Sequence, residues 1–230
     1  MKLITFDTGP IISLTTNNLL GLLTNLKDKY KGSFYITEAV KKELIERPLM
    51  TKKFKFEALQ VLRSINQGVL EVFNSEDLRH KTVHLLELAN NCFKAQGNPI
   101  QITHFAEMSG IASYLINNAE AFVVDERNTR LLIEDPDRLQ DILSKRLHTD
   151  ITVDRGKLNE FTGMTKGIKL IRSVELVVVA YELGLLDKYL SNIPNPRKTL
   201  LEAVLWGVKL NGCSVSENEI EDIIRIELKK

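Results

Sequence analysis

Cysteine, tryptophan and surplus charge are all scarce in this chain. It has two cysteines and one tryptophan in 230 residues. Cys92 and Cys213 therefore form neither a disulfide framework nor a Cys-x-x-Cys metal knuckle, and they read as thiols of a reducing compartment. Lysine and arginine total 31 against 30 aspartates and glutamates, a net charge of +1. No global basic field marks a nucleic-acid partner, so any such footprint has to be local. Long hydrophobic runs are also missing. The richest stretch, residues 174–180, is interrupted by Glu175, is followed by Glu182 and is too short to span a bilayer. The apolar residues from Leu3 stop at Asp7, which argues against a leader sequence. These features predict a cytoplasmic protein with no membrane association.

What is present fits a folded enzyme-sized domain. Hydrophobic residues make up 43% and charged residues 27%, an ordinary balance for a globular chain long enough to bury a full core. Short apolar runs at residues 2–6, 33–36, 69–73, 121–124 and 167–171 alternate with helical patterns, which predicts an α/β fold with a mostly parallel sheet of four to five strands. Pro10 suits the first turn of a helix, Thr37 caps one through Glu46 with Pro48 as its limit, and Ser75 caps another that runs toward Phe93. Gln96-Gly97-Asn98-Pro99 reads as a break. Residues 134–166 mix charge with Pro136, Gly156 and Gly163 and read as a mobile excursion with a frayed helix at 139–147. Helices follow at 174–190, 197–210 and 216–228, the last opened by a Ser216/Glu219 capping box. The expected organisation is an α/β domain over residues 1–172 with a C-terminal helical extension over 173–230 packed on it.

Four acids stand where such a sheet would gather them. Asp7 and Asp125 close apolar strand runs, at the strand ends where ligands bind in parallel sheets. Glu43 and Glu107 border the buried stripes of amphipathic helices, where a lone carboxylate is costly unless paired. Each has an ordinary reading as well, Asp7 and Asp125 as helix caps and Glu43 as a surface charge. Together they point elsewhere. Two unit charges ~4 Å apart repel by about 4 kcal/mol at an effective dielectric near 20, so a cluster calls for Mg²⁺ or Mn²⁺ and for phosphodiester hydrolysis by activated water.

In these segments the chain resembles PIN-domain proteins, the fold of VapC-type toxins and several RNA-processing nucleases. Phe6-Asp7-Thr8 resembles the first acid after strand one, and the run from Thr37 to Glu43 resembles the second. Ala106-Glu107-Met108-Ser109-Gly110-Ile111-Ala112 is similar to a degraded form of the motif bearing the third. Val124-Asp125-Glu126-Arg127-Asn128-Thr129-Arg130 is similar to the segment bearing the fourth. The resemblance implies a three-layer α/β/α fold and Mg²⁺- or Mn²⁺-dependent RNA cleavage, with Asp7, Glu43, Glu107 and Asp125 as ligands. Thr8 and Asn128 would lie just behind them. It also implies RNA as substrate, an antitoxin partner in the toxins of the family, and homodimers. Ala106 stands where the family has glycine and Ser109 where a second acid is frequent, which supports a competing expectation: a catalytically inactive RNA-binding or assembly module.

Other features carry less. Asp7-Thr8-Gly9 matches the aspartic-protease tripeptide, but that chemistry needs two such loops in a β-rich fold. A haloacid-dehalogenase phosphatase would need an acid at Gly9. His80 and His84 share a helix face without a third ligand, so packing or solvent exposure is expected. For RNA contact the residues singled out are Arg127 and Arg130 beside the fourth acid, with Lys52 and Lys53 in a basic run interleaved with Phe54 and Phe56.

Overall fold

β1 (Leu3–Phe6) lies in the middle of the central sheet in the computed structural model, which describes residues 2–229. It leads into α1 (Thr8–Thr16) and α2 (Leu22–Tyr30). β2 (Ser33–Thr37) leads into α3 (Glu38–Lys41), and a π-helical turn at Lys42–Glu46 carries that helix into α4 (Arg47–Leu49). Then come α5 (Lys55–Asn66), β3 (Glu71–Phe73), α6 (Glu76–Asn91) and a hairpin of β4 (Phe93–Ala95) with β5 (Asn98–Pro99). α7 (Phe105–Asn117), β6 (Ala121–Val123), α8 (Arg127–Glu134), α9 (Pro136–Leu147), β7 (Ile151–Val153), α10 (Arg155–Thr165) and β8 (Leu170–Ile171) follow. α11 (Ser173–Glu182), a 3-10 turn at Asp187–Tyr189, α12 (Pro196–Leu210) and α13 (Glu217–Glu227) complete the order.

The sheet runs β3-β2-β1-β6-β8 with every neighbour parallel. From β1 the chain moves outward to β2 and β3 on one side, then returns to β6 and β8 on the other. The β1/β6 junction is therefore the topological switch point, the place where open parallel sheets generally bind their ligands. Helices cover both faces, because alternate residues of β6 enter different cores. Val123 joins Phe6, Phe34 and Val174, whereas Phe122 and Val124 join Met108, Ile111 and Phe161. The chain is α/β, consistent with the three-layer arrangement expected. The C-terminal helices bring Leu201, Leu205, Val208 and Ile220 into the same cluster as Phe6 and Ile11, so they share the core of the sheet. Among the described residues no helix is long and apolar enough to cross a membrane.

Several local expectations are corrected. Residues 134–166 are folded rather than a loose excursion. Asp135 and Asp154 accept from Arg138 N and Lys157 N as helix caps, and Leu139, Leu143, Leu158 and Phe161 are buried. The supposed break at 96–99 is a hairpin, with Gln96 and Gly97 both at positive φ (51° and 82°), the backbone a tight two-residue turn demands. It pairs with β7 in a second, antiparallel sheet, β5-β4-β7. The helix begun at Ser173 ends at Glu182, two residues before Gly184 at φ 69°, instead of running to 190. Pro48 does not end its helix. A proline lacks the amide and its ring strikes the carbonyl four residues back, here Leu44, and the wider π turn around Leu44 accommodates it.

Close approach of α7 to β6 requires Gly110. A Cβ there would lie 2.5 Å and 2.6 Å from Phe122 ring atoms, and Phe122 is fully buried. Gly110→Ala is expected to destabilise the fold by about 2–3 kcal/mol, measured by denaturant unfolding. An unchanged midpoint would show that the ring has room to move.

Candidate functional site

Asp7 follows β1 directly and occupies the N-cap position of α1 with extended backbone, yet its side chain makes no cap hydrogen bond. The carboxylate is 4% exposed. Its Oδ1 and Thr5 Oγ1, two residues earlier on the same face of the strand, are the buried side-chain oxygens left without partners among the described residues. The capping reading of Asp7 is thus set aside, since a buried acceptor without a donor is destabilising. Burial, followed by the charges of Glu107 and Glu43, pushes the Asp7 carboxyl up to about 8, and the amides of Thr8 and Gly9 offset only part of this.

Glu43 reaches the same place from the π turn. Thr8 Oγ1 donates to its Oε2 at 2.9 Å, and Arg47 Nη1 lies 3.1 Å from its Oε1. Because π turns insert a residue without breaking the helix, they re-aim side chains and recur at functional sites. Glu107 stands in the first turn of α7, where its Oε2 accepts the His104 amide at 3.0 Å. Its carboxyl is also raised, by burial first and with Glu43 adding, against the opposing effect of His104. α7 is held to the end of β2 by a buried 2.6 Å hydrogen bond between the Thr37 and Ser109 hydroxyls. Asp7, Glu43 and Glu107 thus stand in one another's electrostatic field.

Asp125 is a neighbour with other ties. A Cβ on Gly9 would sit 3.5 Å from the Asp125 Cβ and 3.9 Å from Asp7 Oδ2, so only a glycine's width separates the two acids. Both oxygens of Asp125 are nevertheless occupied. Oδ1 accepts the Ser173 amide at 2.8 Å, and Oδ2 accepts the Ser173 hydroxyl at 2.8 Å and the Ser13 hydroxyl at 3.2 Å. The carboxylate, 2% exposed, therefore ties the end of β6 to α1 and to the start of α11. Asp125 completes no cluster, and among the described residues no group of three or more His, Cys, Asp and Glu side chains is arranged to hold a metal ion. Asn128, in the first turn of α8, is half-buried and makes no side-chain hydrogen bond among the described residues.

A cleft of about 580 Å³ opens beside Glu43, lined by Lys42, Arg47, Arg79, Thr82, Phe105 and Ser109 among others. Lys52 and Lys53 are exposed just beyond the helix that carries Glu43, with Lys53 Nζ 4.6 Å from the Phe54 ring centroid. Arg127 and Arg130 lie on α8 and line a second cleft, on the Ser214 side. His80 and His84 are on the outer face of α6, where His84 Nε2 contacts Glu160 at 3.0 Å. Ser13 and Ser173, the partners of Asp125, were not anticipated from sequence; the only available signal was the position of Ser173 ahead of an apolar helix. No protein-family model, curated protein or solved structure matches the chain.

Proposed function

We propose that the chain is a divalent-metal-dependent ribonuclease of PIN-like design, acting at the sheet edge after β1, beside the cleft at Glu43. The observation that carries this reading is the buried, unpartnered Asp7 Oδ1 within the field of Glu43 and Glu107. Such a group is destabilising in a metal-free fold and becomes favourable once a cation arrives. Hard carboxylate oxygens on three separate elements suit Mg²⁺ or Mn²⁺ in donor type. Asp7, Glu43 and Glu107 would hold the ion after their side chains close in on it, since the metal-free arrangement of the described residues presents no ready-made set of three. When bound, it supplies the positive charge that lets these carboxylates ionise together and activates water toward a phosphodiester.

The protein's own groups do the rest. Asp7 holds a proton while metal-free and releases it on loading. Thr8 fixes one oxygen of Glu43, and Gly9 leaves open the space between Asp7 and Asp125. Asp125 keeps the edge in place through Ser13 and Ser173, so it acts as a positioning residue. Lys42, Arg47 and Arg79 line the adjoining cleft where phosphates would lie, and Lys52 and Lys53 extend that basic path. RNA is the proposed substrate, and an antitoxin or second copy of the chain the proposed partner, in the cytoplasm.

Purified protein is expected to cleave single-stranded RNA with Mn²⁺ and to stop on chelation. Cleavage that persists in excess chelator would sink this proposal. A second reading, a catalytically silent RNA-binding module, is favoured by the occupied oxygens of Asp125. Calorimetric titration with Mn²⁺ separates the two: the nuclease takes up metal with proton release, and the silent module gives no heat of binding.

A further inference from the structure

Away from the carboxylates, the second cleft encloses about 300 Å³ and is lined by Arg127, Arg130, Arg138, Arg172, Ser214 and Glu219 among others. Four guanidinium groups thus line the cleft with a single carboxylate, Glu219, and two further acids, Glu134 and Glu175, pair with the arginines from outside the lining. Two of the arginines form a fixed wall. Arg172 is only 12% exposed in its side chain and is held by Glu175, by Glu219 at 2.9 Å and by the Ser214 carbonyl at 2.9 Å. Arg130 reaches the same carbonyl at 3.4 Å and Glu134 at 3.4 Å. The other two, Arg127 and Arg138, are exposed, and their guanidinium groups make no hydrogen bond or ion pair among the described residues. Their guanidinium groups are the ones free to meet a ligand.

We propose that this arginine cleft is a phosphate-binding subsite for the backbone of a single-stranded polynucleotide. Guanidinium forks match phosphate oxygens in pairs, and a planar, weakly hydrated cation gives up water readily on contact. The partly buried pair sets the back of the site, and the free pair supplies the affinity. Position supports a polynucleotide over a small ester. Ser214 N donates to the Asp125 carbonyl at 3.3 Å, so the cleft adjoins the sheet edge where Asp7 and Asp125 emerge. A strand lying there would pass from one region to the other. As a substrate-holding element the cleft rests on the ribonuclease reading; as a phosphate site it stands on the arginines.

The test uses the full chain in EDTA, with no turnover, and the anisotropy of a fluorescein-labelled 12-nucleotide single-stranded RNA. Arg127→Ala/Arg138→Ala, which removes two exposed unpaired side chains, should bind at least tenfold more weakly at low salt. The slope of log affinity against log salt should fall by about 1.4, two phosphate contacts at ~0.7 each. Pyrophosphate titration identifies the source. If the double variant loses pyrophosphate binding while RNA binding is unchanged, the cleft takes a small phosphate ester and the polynucleotide assignment is overturned. If neither ligand distinguishes the variant from wild type, the site does not exist. Arginine-dependent RNA binding in a protein that shows no Mn²⁺-dependent cleavage would leave the cleft standing and remove only the nuclease.

Discussion

Asp7→Asn is expected to abolish Mn²⁺-dependent RNA cleavage and, in the same sample, to make the metal-free protein more stable at pH 8. The first effect follows if Asp7 is a ligand. Losing a metal's contribution to the transition state, about 4 kcal/mol, lowers the rate roughly a thousandfold. The second effect follows from its proton. In the fold the carboxyl is raised to about 8, against an ordinary value near 4. Below pH 4 it is protonated in both folded and unfolded chains and contributes no pH dependence. Between about pH 4 and pH 8 the unfolded chain ionises while the fold keeps its proton, so stability declines across that window and levels off above it. Asparagine cannot ionise and removes the decline. The advantage of the variant should grow to on the order of 5 kcal/mol by pH 8, or roughly 10–20 °C in Tm for a chain of this size. Thermal unfolding at pH 5 and pH 8 in EDTA checks the sign. A constant difference between the two pH values would mean that Asp7 is ionised throughout, and that the metal-site argument has lost its main support.

The second large effect separates a ligand from a positioning residue. Asp125→Ala should destabilise the protein by about 2–4 kcal/mol, because it leaves the Ser173 amide and hydroxyl buried without their acceptor, while the Ser13 hydroxyl keeps the Asn211 carbonyl at 3.0 Å. Asp125→Asn keeps one acceptor oxygen. It should recover more than half of that loss and retain Mn²⁺ binding within about threefold, a margin under 1 kcal/mol. A ligand would behave oppositely, with Asp125→Asn nearly as stable as wild type but unable to bind Mn²⁺. Calorimetry on the two variants, with denaturant unfolding alongside, distinguishes these outcomes.

The parts of this site that could be read in advance were local. Asp7 and Asp125 follow apolar runs short enough to be strands, and a parallel sheet sends such ends to a common edge. Glu43 and Glu107 were marked by lying beside apolar residues at helical spacing. What could not be read depended on distance along the chain. The partners of Asp125 lie 48 and 112 residues away, and no periodicity links Ser173 or Ser13 to it. The second sheet was hidden for a different reason. Its strands have two or three residues, too few to show alternation, and positive φ at Gln96 is unusual for a residue with a side chain. In residues 134–166 the charges that suggested disorder include Asp135 and Asp154, which cap helices.

One bond has a consequence for biosynthesis. Asp125 depends on Ser173, and the strand end it steadies also meets the amide of Ser214. A ribosome will have made both β1 and β6 well before either partner exists. The growing polypeptide therefore cannot complete these two ties until translation has passed position 214, long after the strands they join have been made.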